Sequence, residues 1–82
     1  MNKIGVYILK CSNDRFYVGS TNDIERRIAE HNCGKSKATK YLLPLELVKF
    51  IECISLVEAR KLEYSIKKQK SRKYIETLIT AK

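Results

Sequence analysis

The sequence contains few cysteines, and their number and spacing argue against two kinds of small domain. Cys11, Cys33 and Cys53 are odd in number and widely separated. This fits neither a disulfide framework, which pairs its cysteines, nor a closed zinc site, which groups four ligands at short spacing. We expect three reduced thiols that serve as small apolar or incidental surface residues rather than as redox or nucleophilic groups.

Long apolar segments are also missing. The apolar stretches are far shorter than the ~20 residues of a membrane-spanning helix, and the N-terminus, Met1-Asn2-Lys3-Ile4, lacks the apolar region of a signal peptide. We therefore expect a cytoplasmic protein without a membrane partner. No internal repeat, low-complexity tract or long linker divides the 82 residues. We expect one domain over residues 1–82, too small for a deep cofactor pocket.

Positive charge is in excess. Lysine and arginine total 17 against 9 aspartates and glutamates, which gives a formal net charge of +8. A surplus of this size on a small chain indicates a polyanionic partner such as nucleic acid.

The strand pattern begins with a predicted hairpin. Residues 4–9 and 16–19 are β-rich and flank the turn-forming Ser12-Asn13-Asp14. If the turn centres on Ser12, Tyr7 and Tyr17 lie opposite each other and point to the same face of the sheet. Residues 45–51 predict a third strand.

Three helices are predicted from capping residues. Asn22 and Ser55 each precede a glutamate by three positions, as in a capping box, and Ser71 can cap a last helix. The order ββαβαα predicts an α+β fold in which helices flank a small three-stranded antiparallel sheet.

Two ionisable side chains lie on the apolar stripe of the first predicted helix. Ile24, Arg27, Ile28 and His31 fall at positions i, i+3, i+4 and i+7, so Arg27 and His31 border the core and would rim a pocket. The competing interpretations are structural, because Arg27 can cover apolar surface or pair with an acid, and His31 can compensate the helix dipole. The opposite, solvated face should carry Glu25, Arg26 and Glu30.

A carboxylate borders the apolar stripe of the second predicted helix. Glu63 lies beside Leu62 and three residues before Ile66. Desolvating an ionised carboxylate is costly unless a cation compensates it, so Arg27, a nearby lysine or a divalent metal is the expected partner. Magnesium suits a single carboxylate, because it keeps most of its waters and takes phosphate oxygens as ligands.

Tyr7 and Tyr17 can be ordinary sheet residues, or they can take part in catalysis. A phenol with a pKa of ~10 acts as a general base only when a cation or a metal-bound water helps to remove its proton. Arg27 and a metal at Glu63 would supply that help.

Together these residues form a family pattern. Gly5-Val6-Tyr7, then Tyr17-Val18-Gly19 and the run from Ser20 to Asn32, resemble the GIY-YIG nuclease superfamily. The similarity is to its small stand-alone bacterial members, which are related to the N-terminal nuclease domain of the excision-repair endonuclease. It extends from residue 4 to about residue 80, and the intervals between the motifs make it specific.

The resemblance implies one active site that cleaves nucleic-acid phosphodiesters with one divalent metal, Mg²⁺ or Mn²⁺. By position, Tyr7 matches the tyrosine usually assigned as general base, and Tyr17 the second motif tyrosine, which places water or phosphate. Arg27 matches the phosphate-binding arginine. His31 matches the position of a histidine or tyrosine that supports the hydroxyl network, and Glu63 matches the metal-binding glutamate.

The sequence departs from the family pattern in several places, of which the valines that replace the motif isoleucines, Val6 and Val18, are conservative. Ser20 stands where some repair nucleases of the family carry an active-site lysine, for which Lys35 and Lys40 are candidate substitutes. The C-terminal asparagine of several members has no match after Glu63.

The basic residues predict where nucleic acid binds. Most surround the second helix, and the candidates are Lys35, Lys40, Arg60, Lys67, Lys68, Lys70, Arg72 and Lys73. Phosphate contacts give affinity without reading sequence. The leading hypothesis is a metal-dependent DNA endonuclease or nickase, structure-dependent or weakly sequence-selective, serving repair or recombination, with a partner protein as one source of specificity. The alternatives are a non-catalytic nucleic-acid-binding module on the same fold and a small adaptor.

Overall fold

The computed structural model describes residues 3–34 and 45–80. Its elements are β1 (Gly5–Lys10), β2 (Phe16–Thr21), α1 (Ile24–Asn32), β3 (Glu46–Glu52), α2 (Leu56–Gln69) and α3 (Arg72–Thr80). The predicted α+β class and the order ββαβαα are confirmed.

β1 is the central strand of a sheet with the order β2-β1-β3, and it runs antiparallel to both neighbours. Residues 5–9 are buried on both faces of the sheet, which explains why this strand is almost uninterrupted apolar sequence. Gly5 is needed for the close approach of β3, because a Cβ at this position would collide with the carbonyl oxygen of Ile51.

The two faces of the sheet pack against different helices, because alternate residues of a strand point to opposite faces. One face packs against α2 and α3 through a buried cluster of Val6, Ile8, Val18, Ala59 and Ile66. The other packs against α1 through Tyr7, Leu9 and Ile24. Both tyrosines of the motif therefore lie on the α1 side.

The hairpin turn lies one residue later than predicted. Cys11 N donates to the Arg15 carbonyl at 2.8 Å and Asp14 N donates to the Cys11 carbonyl at 3.0 Å, so the loop centres on Asn13. Asp14 adopts a left-handed φ of 66°, which aspartate tolerates better than most residues.

This shift changes the pairing of the two tyrosines. Tyr7 pairs with Gly19, and Tyr17 pairs with Leu9. The prediction that the tyrosines lie directly opposite each other is wrong. They still share one face, because the register differs by two residues and only an odd shift would move a side chain across the sheet.

The helix caps agree with the sequence at two ends and differ at one. Ser55 Oγ accepts from Glu58 N at 3.3 Å, and Ser71 Oγ accepts from Tyr74 N at 3.1 Å. α1 is capped by Asp23, whose side chain accepts from Arg26 N at 3.2 Å, and not by Asn22. Asp23 has the extended backbone of an N-cap residue, whereas the side chain of Asn22 accepts from Arg26 Nη2 at 3.0 Å.

Cys11, Cys33 and Cys53 are free thiols. Within the described residues, the helices are too short and too polar for any of them to cross a membrane.

Candidate active site

The position of Tyr7 depends on the glycine opposite it. The side chain of Tyr7 is 1% exposed, and a Cβ at its cross-strand partner Gly19 would collide with the Oη and Cζ atoms of Tyr7. The phenol therefore occupies the space that a side chain at Gly19 would fill. This contact explains why the second motif needs glycine at that position.

The Tyr7 hydroxyl joins two side chains of α1. Arg27 Nε donates to Tyr7 Oη at 3.1 Å, and Tyr7 Oη lies 3.1 Å from His31 Nε2. Arg27 and His31 are four residues apart, so both face the sheet from the same side of the helix. The stripe predicted from their spacing is thus present, with Ile24 and His31 buried and Arg27 and Ile28 half-buried.

The protonation states follow from burial. His31 is 0% exposed, and its burial and the charge of Arg27 lower its pKa, so the imidazole is neutral at pH 7. Burial raises the pKa of Tyr7, and the hydrogen bond and charge of Arg27 only partly oppose this. The phenol is therefore protonated. Because Tyr7 Oη accepts from Arg27, its own proton can be donated to His31 Nε2 in the tautomer that carries hydrogen on Nδ1.

Tyr17 lies where this network meets α2. Its ring centroid is 6.3 Å from that of Tyr7 and 5.3 Å from that of His31. On the other side, Lys67 Nζ lies 5.9 Å from the Tyr17 centroid. Tyr17 is half-buried and connects the α1 side of the sheet to the α2 side around the outer edge of β2, the edge away from β1.

Arg27 has an acidic neighbour on its own helix. Its Nη1 lies 3.5 Å from Glu30 Oε1, and both side chains are about one-third exposed, at 32% and 37%. Residues three apart on a helix are neighbours, so Glu30 can reach the end of the Arg27 side chain without lying on the stripe of Ile24 and Ile28. Arg27 also lines a polar cleft of about 460 Å³ together with Ser20, Arg26 and Arg60.

Glu63 is held by two hydrogen bonds on the α2 side of β2. Ser20 Oγ donates to Oε1 at 2.5 Å, and Lys67 Nζ donates to Oε2 at 2.6 Å. The expectation that a nearby lysine contacts Glu63 is thus met by Lys67. Burial alone would raise the pKa of Glu63, but the bonds from Lys67 and Ser20 and the charges of Lys67 and Arg60 hold it below its usual value. The carboxylate is therefore ionised.

The two halves of the site are close enough to interact electrostatically. The charge of Glu63 contributes to the raised pKa of Tyr7, and Lys67 contacts both Glu63 and the Tyr17 ring. Four of the predicted residues, Tyr7, Tyr17, Arg27 and His31, form one contact network. Glu63 joins it through Lys67.

The chemistry of Glu63 determines which metal could bind here. Within residues 3–34 and 45–80, no group of three or more His, Cys, Asp or Glu side chains is arranged so that it could hold a metal ion. One carboxylate fits Mg²⁺, which keeps several waters and takes phosphate oxygens. A carboxylate has about four lone-pair sites, so Glu63 has acceptor capacity beyond its two bonds. An ion at Oε2 would compete with Lys67.

The predicted basic residues fall into four groups. Arg60 lines the polar cleft, and Lys67, Lys70 and Arg72 line a second cavity beside β2. Lys68 and Lys73 are exposed and line neither of these two cavities. Lys35 and Lys40 lie outside the described residues.

Sequence reasoning missed the roles of Ser20 and Arg26. The alternation of β2 contains the signal for Ser20, since Ser20 shares the face of buried Val18 and that face packs against α2. The signal for Arg26 is weaker. It follows the cap residue Asp23 by three positions and lines the polar cleft beside Arg27.

Comparison with known proteins places this chain in a family. Residues 3–75 match the family model described as the GIY-YIG catalytic domain. The UPF0213 protein YsiG of Lactococcus lactis is 39% identical over 80 residues, covering 96% of this chain and 77% of the relative. The UPF0213 protein SH2523 of Staphylococcus haemolyticus is 44% identical over 80 residues, covering 93% of this chain and 98% of the relative.

The fold has a match among solved structures. The solution NMR structure of the UPF0213 protein BH0048 from Bacillus halodurans aligns with a TM-score of 0.60 and 40% sequence identity, over 98% of this chain and 84% of that chain. The family match covers both tyrosine motifs, α1 and α2. Its relatives described above are small UPF0213 proteins. The chain therefore belongs to the GIY-YIG nuclease family.

Proposed function

We propose that this protein is a metal-dependent DNA endonuclease or nickase that hydrolyses phosphodiester bonds in DNA repair or recombination. The observation that carries the proposal is the contact of Tyr7 Oη with both Arg27 Nε and His31 Nε2, each at 3.1 Å. A hydroxyl held between a permanent cation and a neutral imidazole is suited to proton transfer.

The proposed general base is the Tyr7–His31 pair rather than Tyr7 alone. A phenol whose pKa is raised by burial holds its proton at neutral pH and cannot begin as a phenolate. The attacking water gives a proton to Tyr7 Oη while Tyr7 gives its own proton to His31 Nε2. The hydroxide oxygen bonds to phosphorus while the bond from phosphorus to the leaving oxygen breaks, and the leaving oxygen takes a proton from solvent. Tyr7 ends as a neutral phenol and His31 as an imidazolium, so no free phenolate is formed.

Arg27 and Arg60 receive the phosphate in this proposal. Both line the polar cleft that also contains Ser20 and Arg26. A guanidinium stays charged at any working pH and can contact two phosphate oxygens at once. These contacts oppose the negative charge that builds on the non-bridging oxygens as water attacks.

Glu63 is the proposed ligand for Mg²⁺ or Mn²⁺, with Ser20 holding its Oε1 in place. When bound, the metal supplies Lewis-acid stabilisation of phosphate oxygens. The lowered pKa of Glu63 keeps the carboxylate ionised, as a metal ligand requires.

The basic residues support DNA as the substrate. Arg60, Lys67, Lys70 and Arg72 border the two cavities beside β2, where they can contact phosphates on either side of the cleavage point. Phosphate contacts carry no sequence information, so we propose structure-dependent or weakly sequence-selective cleavage, with a partner protein as an added source of specificity.

The test is cleavage of supercoiled plasmid and of branched and flapped DNA with Mg²⁺ or Mn²⁺. Tyr7→Phe removes the hydroxyl and should slow cleavage by ~10²-fold or more. Glu63→Gln removes the anionic ligand and should have an effect of similar size. The matched controls are Tyr64→Phe and Glu58→Gln, which make the same changes at exposed positions of α2 and should cleave like the parent protein.

Thermal unfolding of every variant separates loss of function from loss of fold. Metal-dependent cleavage that persists in both Tyr7→Phe and Glu63→Gln would contradict the assigned site. Tight DNA binding without cleavage of any substrate would favour the non-catalytic nucleic-acid-binding module. Absence of both binding and cleavage would favour the adaptor.

A further inference from the structure

A second cavity, of about 430 Å³, lies along the outer edge of β2. It is bounded by β2 on one side and by the end of α2 and the start of α3 on the other. Its lining is mainly apolar and is formed by Phe16, Val18, Ile66 and Ile75. A volume of this size is in the range of small-molecule sites.

The rim of this cavity is cationic. Arg15, Lys67, Lys70 and Arg72 line it, and among the described residues no carboxylate does. Four cations at the rim indicate that a ligand of this cavity carries negative charge in addition to an apolar part. A molecule with a flat apolar body and an attached anion fits both the lining and the rim, and a nucleotide has that composition.

Arg72 lines the cavity beside the Phe16 ring. Its guanidinium carbon lies 4.9 Å from the Phe16 ring centroid. Arg72 Nη1 donates to the Asp14 carbonyl at 2.6 Å, and Nε donates to Glu76 Oε1 at 3.0 Å. These bonds hold the guanidinium against the ring, and both aromatic rings and guanidinium planes are surfaces on which nucleobases stack.

The cavity is continuous with the candidate active site, because both contain Tyr17 and Lys67. Tyr17 contacts Tyr7 and His31, and Lys67 bonds to Glu63. A strand of DNA whose phosphate is held between Tyr7 and Glu63 would therefore bring a neighbouring nucleotide to the mouth of this cavity.

We propose that the cavity binds an unpaired nucleobase of the DNA strand that is cut, with the base against the Phe16–Arg72 pair and its flanking phosphates on Lys67 and Lys70. This inference rests on the proposed nuclease function. A base within a duplex cannot enter a cavity without leaving its stack. The site therefore selects strands with an unpaired nucleotide next to the cleaved phosphate.

The test compares two short fluorescent oligonucleotides of the same length, one of thymidines and one of abasic residues, which carry the same phosphates. Binding to Glu63→Gln protein in EDTA, followed by fluorescence anisotropy, avoids cleavage. Stacking of one base should make the thymidine oligomer bind about five- to 150-fold more tightly than the abasic one. Amide resonances at Phe16, Ile66 and Ile75 should shift on addition of the thymidine oligomer.

The matched variants are Phe16→Leu and Phe50→Leu, each added to Glu63→Gln. Both rings are half-buried, but Phe50 packs against the α1 face of the sheet. Phe16→Leu should bring the thymidine-to-abasic ratio close to one, and Phe50→Leu should leave it unchanged.

Equal affinity of the Glu63→Gln protein for the two oligomers would overturn the inference and leave the nuclease proposal standing, because phosphate contacts alone would then explain binding. A base preference that survives Phe16→Leu, with resonance shifts elsewhere, would also overturn it. Binding of neither oligomer would contradict the inference and count against the proposed function as well.

Discussion

Gly19→Ala tests whether the space beside Gly19 positions the Tyr7 hydroxyl. The added Cβ would collide with the Oη and Cζ atoms of Tyr7. The ring has little freedom to retreat, because Tyr7 is 1% exposed and packs in the cluster with Leu9 and Ile24. The hydroxyl must therefore move away from Arg27 and His31.

The size of the effect follows from the packing. Adding a methyl group to a well-packed core costs about 1–3 kcal/mol. In a domain of this size each kcal/mol lowers the melting temperature by roughly 4–8 °C, so we expect a fall of about 4–24 °C. Displacement of a catalytic group by about 1 Å can slow a reaction ~10²-fold, so cleavage at a temperature where the variant is folded should fall by about that factor.

Val48→Ala is the control for destabilisation alone. Val48 is half-buried on β3 and packs against the cluster on the other face of the sheet. It should lower the melting temperature without slowing cleavage by the folded protein. The His31 ring resonances, followed by NMR, report on the Tyr7 contact directly, because His31 is the one histidine in the chain.

Two results would refute this reasoning. If Gly19→Ala is folded, keeps the parent's His31 resonances and cleaves DNA at the parent's rate, then the Tyr7 hydroxyl does not depend on the space at Gly19. If Val48→Ala loses cleavage to the same degree, the loss in Gly19→Ala reports stability rather than position.

The competition between Lys67 and a metal at Glu63, and the protonation of His31, can each be tested without measuring cleavage. Lys67→Met should strengthen Mn²⁺ binding up to about fivefold relative to Lys68→Met, because a partly exposed ion pair contributes ~0.2–1 kcal/mol. Calorimetry or electron paramagnetic resonance measures the Mn²⁺ affinity of each variant. Equal affinities would count against competition between Lys67 and the metal. The folded pKa of His31 lies below its unfolded value of ~6.5, so the unfolded chain binds the proton more readily. The stability due to neutral His31 should be complete above the unfolded pKa and lost as pH falls through the folded pKa. NMR titration of His31 and thermal unfolding, both between pH 7 and pH 4, check the pKa and the loss of stability. A His31 pKa above 6.5 would contradict the prediction.

Local signals in the sequence predict the elements of this fold well. The β-rich composition of the strands and the caps at Ser55 and Ser71 depend on neighbouring residues, and the structure agrees with them. The cap of α1 could not be chosen in the same way, because Asn22 and Asp23 are both good N-cap residues. Which of them caps the helix depends on the backbone angles at the end of β2, which one sequence does not specify.

The contacts of the candidate site can likewise be divided into those that local spacing predicts and those that depend on tertiary packing. Arg27 and His31 lie four residues apart on one helix, so their shared face could be predicted from spacing. The i, i+4 spacing of Glu63 and Lys67 likewise predicts their ion pair. Ser20 and Glu63 are 43 residues apart, and only the packing of α2 on β2 brings them together. Tyr7 and Gly19 are cross-strand partners because the turn centres on Asn13. A shift of the turn by one residue changes this pairing by two residues.

The outer edge of β2 explains how residues from both faces of the sheet can serve one site. Within the described residues β2 pairs with β1 alone. At its outer edge, the α1 face and the α2 face of the sheet are therefore separated only by the thickness of this one strand. Tyr17 and Gly19 point to one face and Ser20 to the other, and Lys67 reaches across to contact Tyr17 and Glu63. An unpaired edge invites association with another strand, which proteins prevent with charged side chains. Arg15, Lys67 and Lys70 lie along this edge, so the charges that oppose edge-to-edge association are the same charges that would attract a DNA strand to the site.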